Sequence, residues 1–135
     1  MTRAQLQLST DECTVRRVTD WIGCFCERQQ LSRAATDAVS LSLEEIVSNI
    51  VVHGYEGRPG NLSIEARYDP RAFSVVIEDG GKPFDPTQTA PTPFGDTLSS
   101  RSEGGLGLLL VKSLMDEIIY QRAGVTNRLK LVKRL

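Results

Sequence analysis

Two alternating runs joined by a tight turn constrain this chain most. Leu62, Ile64, Ala66 and Tyr68 interleave with polar residues, Asp69-Pro70-Arg71 reverses the chain, and Phe73, Val75 and Ile77 resume the alternation. A period of two puts the apolar side chains of each run on one face, so the pair reads as an antiparallel hairpin with a greasy face that something must cover. The cover precedes it. Val15, Val18, Ile22 and Phe25 recur at three- and four-residue steps after Thr10 or Asp11, predicting a helix to about Glu27. A second helix is expected from near Ser32 to Gly54, with Val39, Leu43, Ile46, Val47, Ile50 and Val51 on its apolar side.

The remaining segments extend the same plan. Leu6-Gln7-Leu8-Ser9 alternates as a short strand, and Gly57-Arg58-Pro59-Gly60-Asn61 is a turn. Pro86 to Glu103 lacks periodicity and reads as a long loop of the functional kind. Leu108, Leu109, Val111, Leu114 and Met115 mark a third helix, followed by a strand at Ile118–Arg122, a turn at Ala123-Gly124 and a last strand over Arg128 to Lys133. The sum is an α+β, two-layer sandwich with helices on one face of a mixed, mostly antiparallel sheet. The 135 residues are expected to form a single domain, 1–135.

Three segments carry chemistry. Glu45 and Asn49 stand four apart in the second helix and so project from one face, a carboxylate beside a neutral oxygen suited to Mg²⁺. Glu44 points roughly 100° away around the helix and reads as a surface charge. His53, at the helix end, reads as a cap or core residue before a chemical group. Asp79 closes an apolar strand, where an unpaired carboxylate is costly to bury, and the amino group of a purine is a partner that fits. Gly81 lets the backbone approach such a base. Gly105-Leu106-Gly107-Leu108 opens the third helix, where glycines admit a phosphate to the backbone N–H groups and the interleaved leucines argue against a mere linker.

The order and spacing of these segments resemble the N, G1 and G2 boxes of the GHKL ATPases, the superfamily of gyrase, Hsp90, histidine kinases and the anti-sigma-factor serine kinases. The resemblance implies the Bergerat, histidine-kinase-like ATP-binding fold over nearly the whole chain. It implies ATP and Mg²⁺ as cofactors, with Asn49 as the Mg²⁺ ligand, Glu45 as general base and Asp79 selecting adenine. It further implies an ATP lid over about 86–104, with Arg101 as a γ-phosphate contact, and Thr126 about where the family's threonine meets the adenine-binding aspartate, in a register that the following Asn127 leaves open. The ending Asn49-x-x-x-His53-Gly54-Tyr55 and the run from Gly104 to Glu117 look most like the anti-sigma-factor serine kinases of the RsbW type. Such proteins bind a sigma factor and phosphorylate a serine on a STAS-domain anti-anti-sigma antagonist, and the resemblance sets Arg17 of the first helix at the partner contact. The alternative is an ATP-holding partner-switching module that no longer transfers phosphate. Lys82-Pro83-Phe84 departs from the commonest G1 pattern, where a smaller stretch is usual.

Composition narrows the class. Sixteen basic against seventeen acidic side chains give a net charge of −1, so no cationic field favours nucleic acid. The N-terminus lacks a signal-peptide core and no uncharged run approaches the ~20 residues of a membrane span, so a cytoplasmic protein is expected; separately, a homodimer is the expected assembly. Cys13, Cys24 and Cys26 with one distant histidine fit neither a zinc site nor a disulfide framework.

Overall fold

The structure, a computed structural model, describes residues 1–88 and 106–135; of Gln88 and Leu106 the backbone alone is described. Strand β1 runs Thr2–Ser9, helix α1 Thr14–Arg28 and helix α2 Arg33–Asn49. A π-helical turn, Ile50–Gly54, prolongs α2. The hairpin follows as β2, Asn61–Asp69, and β3, Ala72–Asp79; then come a short 3₁₀ turn at Pro86–Gln88, helix α3 at Leu106–Leu114, and β4, Glu117–Ala123, with β5, Thr126–Arg134.

The five strands form one sheet in the order β1-β2-β3-β5-β4. Each pairing is antiparallel, so the parallel component of the expected mixed sheet is absent among the described residues. No strand is joined to a neighbour by a helical crossover of the kind a parallel pair requires, because helices separate only strands that lie apart or pair antiparallel.

The alternation decides which face is buried. Leu62, Ile64 and Ala66 of β2, Phe73, Val75 and Ile77 of β3, and Leu129 and Leu131 of β5 all point to the helices and are at most 6% exposed. Onto them α1 brings Val18, Ile22 and Phe25, and α2, lying between α1 and α3, brings Val39, Leu43, Ile46 and Val47. The Phe25 and Phe73 rings meet at 5.7 Å and 60°, a tilted contact that ties α1 to the middle of the sheet.

Local chemistry sets the helix ends. Ser32 caps α2 by accepting from the Ala35 N–H at 3.1 Å. At α1 the expected cap is displaced: Asp11 accepts from the Cys13 N–H at 2.8 Å, and helical geometry begins only at Thr14. Thr10 is instead buried and bound to Gly60, fastening the end of β1 to the turn before β2.

Candidate functional site

The inward stripe of β3 ends on a charge. Asp79 continues the parity of Val75 and Ile77, so its carboxylate points under the helices and is 8% exposed. Its Oδ1 accepts from the Gly81 N–H at 2.8 Å and from Asn127 Nδ2 at 3.0 Å. Asn127 lies directly opposite Asp79 in the β3–β5 register. Its amide also donates to the Gly81 and Lys82 carbonyls at 3.1 and 3.0 Å, and its Oδ1 accepts from Tyr120 and, at 2.8 Å, from Arg122. Asp79 and Asn127 line a small cavity of about 40 Å³, walled also by Ile46, Asn49, Ile50, Phe84 and Leu129.

The opposite wall is built by a change of helical pitch. After Asn49 the hydrogen bonds lengthen from four residues to five, with the Tyr55 N–H donating to the Ile50 carbonyl at 2.9 Å. Ile50, Val51 and Val52 are β-branched and hold α-helix weakly, and single π turns of this kind gather at functional sites. The widened turn presents the Gly54 carbonyl to the Lys82 N–H at 3.0 Å. Tyr55 then locks the exit: its hydroxyl donates to the Asn61 carbonyl and accepts from the Gly80 N–H, both at 2.6 Å. Burial raises the Tyr55 hydroxyl above its ordinary value, which keeps it protonated and able to donate.

Glu45 and Asn49 do share one face of α2, one turn apart. Asn49 faces the cavity, and its Nδ2 is buried with no hydrogen-bond partner among the described residues. Glu45 reaches the start of α3, where a Cβ on Gly107 would overlap its carboxylate. The first N–H groups of a helix have no intrahelical acceptor, so the candidate base stands where an anion would be bound. Among the described residues no group of three or more His, Cys, Asp and Glu could hold a metal ion. A Mg²⁺ here would depend on the Asn49 side-chain oxygen and on oxygens of a bound nucleotide, in keeping with the preference of that ion for few protein ligands, while the unpaired Asn49 Nδ2 is a donor that suits an acceptor such as a phosphate oxygen.

Other expected residues fall differently. Gly81 is required by the protein itself: a Cβ there would lie 2.7 Å from the Gly54 carbonyl carbon, so the missing side chain serves the contact between the G1 turn and the π turn. Thr126 has the opposite parity to Asn127, Leu129 and Leu131 and lies on the other face of β5 beside Gly80 and Val125, so Asn127 stands in the place foreseen for it. Leu108 is a buried core residue. Arg17 and His53 are exposed, the former on α1 remote from the cavity. Arg101, Gly105 and the expected lid over about 86–104, save its first residues at Pro86–Gln88, lie outside the described residues. The departure at Lys82 is anchored through Glu56, whose carboxyl is held below its usual range by the Lys82 ammonium. The sequence reading missed Tyr120 and Arg122, and had Asn127 only as the neighbour that left the register of Thr126 open, although the strand parity of Leu129 and Leu131 favoured it.

A match to the histidine kinase-like ATPase domain extends over residues 8–133. The chain belongs to that family. Serine/threonine-protein kinase BtrW of Bordetella bronchiseptica is 31% identical over 127 residues, covering 93% of this chain and 89% of BtrW. Serine-protein kinase RsbW of Staphylococcus epidermidis is 36% identical over 104 residues, covering 70% of this chain and 64% of the relative, so the aligned part spans under two thirds of that protein. An anti-sigma F factor of Halalkalibacterium halodurans is 28% identical over 103 residues, 76% of this chain and 69% of the relative. Among solved structures, the RsbU and RsbW domains of a Mycobacterium tuberculosis protein superpose with a TM-score of 0.73 at 14% identity, over 99% of this chain and 32% of that one. The histidine kinase AdeS of Acinetobacter baumannii follows at 0.53 and 16%, over 96% of this chain and 67% of that one. These two likenesses show the fold. As a histidine kinase-like ATPase domain of the RsbW-like kind, the chain is an ATP-binding module, and no described helix is long and apolar enough to cross a membrane.

Proposed function

We propose that the protein is an ATP-dependent serine kinase of a partner-switching system, with a STAS-domain anti-anti-sigma protein as substrate and a sigma factor as the second partner. The names of its relatives, two serine kinases and an anti-sigma factor, support both halves. The observation that carries the kinase half is the approach of Glu45 to Gly107, one helical turn from Asn49. It supports a reading in which a carboxylate beside the start of α3 faces the phosphates and Asp79, in the wall of the cavity, faces the base.

Adenine seats its amino group on Asp79, and the triphosphate runs toward the start of α3. Bound through the Asn49 oxygen and the phosphates, Mg²⁺ would neutralise charge building on the transferring group. Glu45 accepts the proton of the incoming serine hydroxyl. The serine oxygen bonds to the γ-phosphorus, the bond from that phosphorus to its β-bridging oxygen breaks, and ADP leaves with the electron pair. Asn49 and Glu45 are thus the Mg²⁺ ligand and the base, Gly105, Leu106 and Gly107 the phosphate cradle, Arg101 a γ-phosphate contact and Arg17 a partner contact. A cytoplasmic homodimer completes the proposal.

The test is transfer of label from γ-labelled Mg·ATP to a STAS-domain protein of the same cell. Wild type should label one serine, and Glu45→Ala should bind ATP yet transfer about 10²-fold or more slowly. Nucleotide binding without transfer to any STAS protein would leave a partner-switching module and remove the kinase.

A further inference from the structure

The amide of Asn127 sits at the centre of a network that no ligand is needed to assemble. Arg122 can only donate, and it meets Asn127 Oδ1 at 2.8 Å. Tyr120 donates to the same oxygen. With both donors on one side the amide has a single favourable orientation, so Nδ2 must face Asp79, Gly81 and Lys82, as it does at 3.0, 3.1 and 3.0 Å. Arg122 Nη1 also donates to the Gly81 carbonyl at 3.1 Å, closing the ring of contacts around the G1 turn. The consequence falls on the carboxylate. Asp79 Oδ1 is filled by the Gly81 N–H and Asn127 Nδ2, while among the described residues no donor reaches Oδ2.

We propose that Tyr120, Arg122 and Asn127 are positioning residues that hold Asp79 with one oxygen occupied and the other turned to the cavity as a bare acceptor, and that this setting determines preference for a 6-aminopurine over a 6-oxopurine nucleotide. A purine amino group donates to the bare oxygen; a 6-oxo group would bring one acceptor against another, an unpaired and repelled contact that costs affinity. A carboxylate free to rotate could offer either oxygen, or a water in its place, and would discriminate less. The inference rests on the nucleotide-binding function proposed above and adds the chain's own specificity device to it.

Affinities for Mg·ATP and Mg·ITP, measured by calorimetry on the full chain, test it. Wild type should prefer ATP by about 10²-fold, the upper scale expected when one buried hydrogen-bonding group is left unsatisfied. Asn127→Leu, similar in size but unable to donate, should cut that ratio about tenfold or more. Arg122→Ala should lower it as well, and Arg122→Lys should restore much of it, a pattern that general loosening of the fold would not produce. Thermal unfolding identifies folded variants; should Asn127→Leu fail to fold, the two Arg122 variants decide. An undiminished ATP-to-ITP ratio in the folded variants would overturn the positioning role while leaving ATP binding intact. Absence of binding of either nucleotide by wild type would overturn the nucleotide function itself.

Discussion

Asp79 and its neighbours show how much one side chain's surroundings decide. An asparagine at 79 has a single oxygen for two fixed donors, the Gly81 N–H and Asn127 Nδ2, so its own NH₂ would turn to the cavity. Asp79→Asn should therefore weaken ATP binding by about 1.5–3 kcal/mol, the value of a charge-assisted hydrogen bond, and should lose less for ITP. Calorimetric titration of both nucleotides checks this, and equal losses would argue against contact between residue 79 and position 6 of the base. Asp79 was legible in sequence because a charge ending an apolar strand demands a partner. Asn127 was not given the role, because the resemblance pointed to a threonine and Thr126 stood one residue away. A one-residue shift in a strand reverses the face, and the apolar Leu129 and Leu131 already assigned the odd-numbered positions to the interior.

At the scale of elements, the helices and strands follow the apolar periods closely, with differences at their ends. Strand β1 begins at Thr2 rather than Leu6 because pairing with β2 continues through Thr2 and Tyr68, beyond the reach of apolar alternation. The π turn had no sequence signal beyond a β-branched run, since hydrogen-bond slip is decided by what the turn meets. It meets Gly81, and Gly81→Ala should push the Gly54 backbone away and destabilise the fold by about 1–3 kcal/mol, as overpacking does. Chemical denaturation would register it; an unchanged midpoint would show that the two turns can separate freely. Gly107→Ala should act on chemistry instead, since the added methyl meets the flexible end of Glu45. Stability should change little and phosphoryl transfer should fall, a split seen by running denaturation and kinase assays on the same sample.

Across the whole molecule, one core joins the sheet to all three helices, and Phe73 lies fully buried at its centre against Phe25. Phe73→Ala should cost about 3–5 kcal/mol, a large part of a small domain's stability. Cys26 reports on the same core through pH. Burial pushes its thiol from 9.0 up to about 11, partly offset by a hydrogen bond with Thr36. A raised value means that the folded state holds its proton longer than the unfolded chain. The Cys26 contribution is therefore undiminished below pH 9 and is lost as pH rises from there through about 11, which denaturation across that range would follow. Cys13 and Cys24 are exposed and should alkylate in the native protein, whereas Cys26 should wait for unfolding. The overall plan of helices on one sheet face was readable from periodicity alone; the cavity was not, since it arises where β3, β5, α2 and the π turn converge from distant parts of the chain. That convergence is what the central claim rests on, and titration of the wild-type protein with Mg·ATP tests it most directly. Saturable binding at one site per chain, weakened by Asp79→Asn and retained by Glu45→Ala, is the predicted result; no binding by a protein shown to be folded would contradict it.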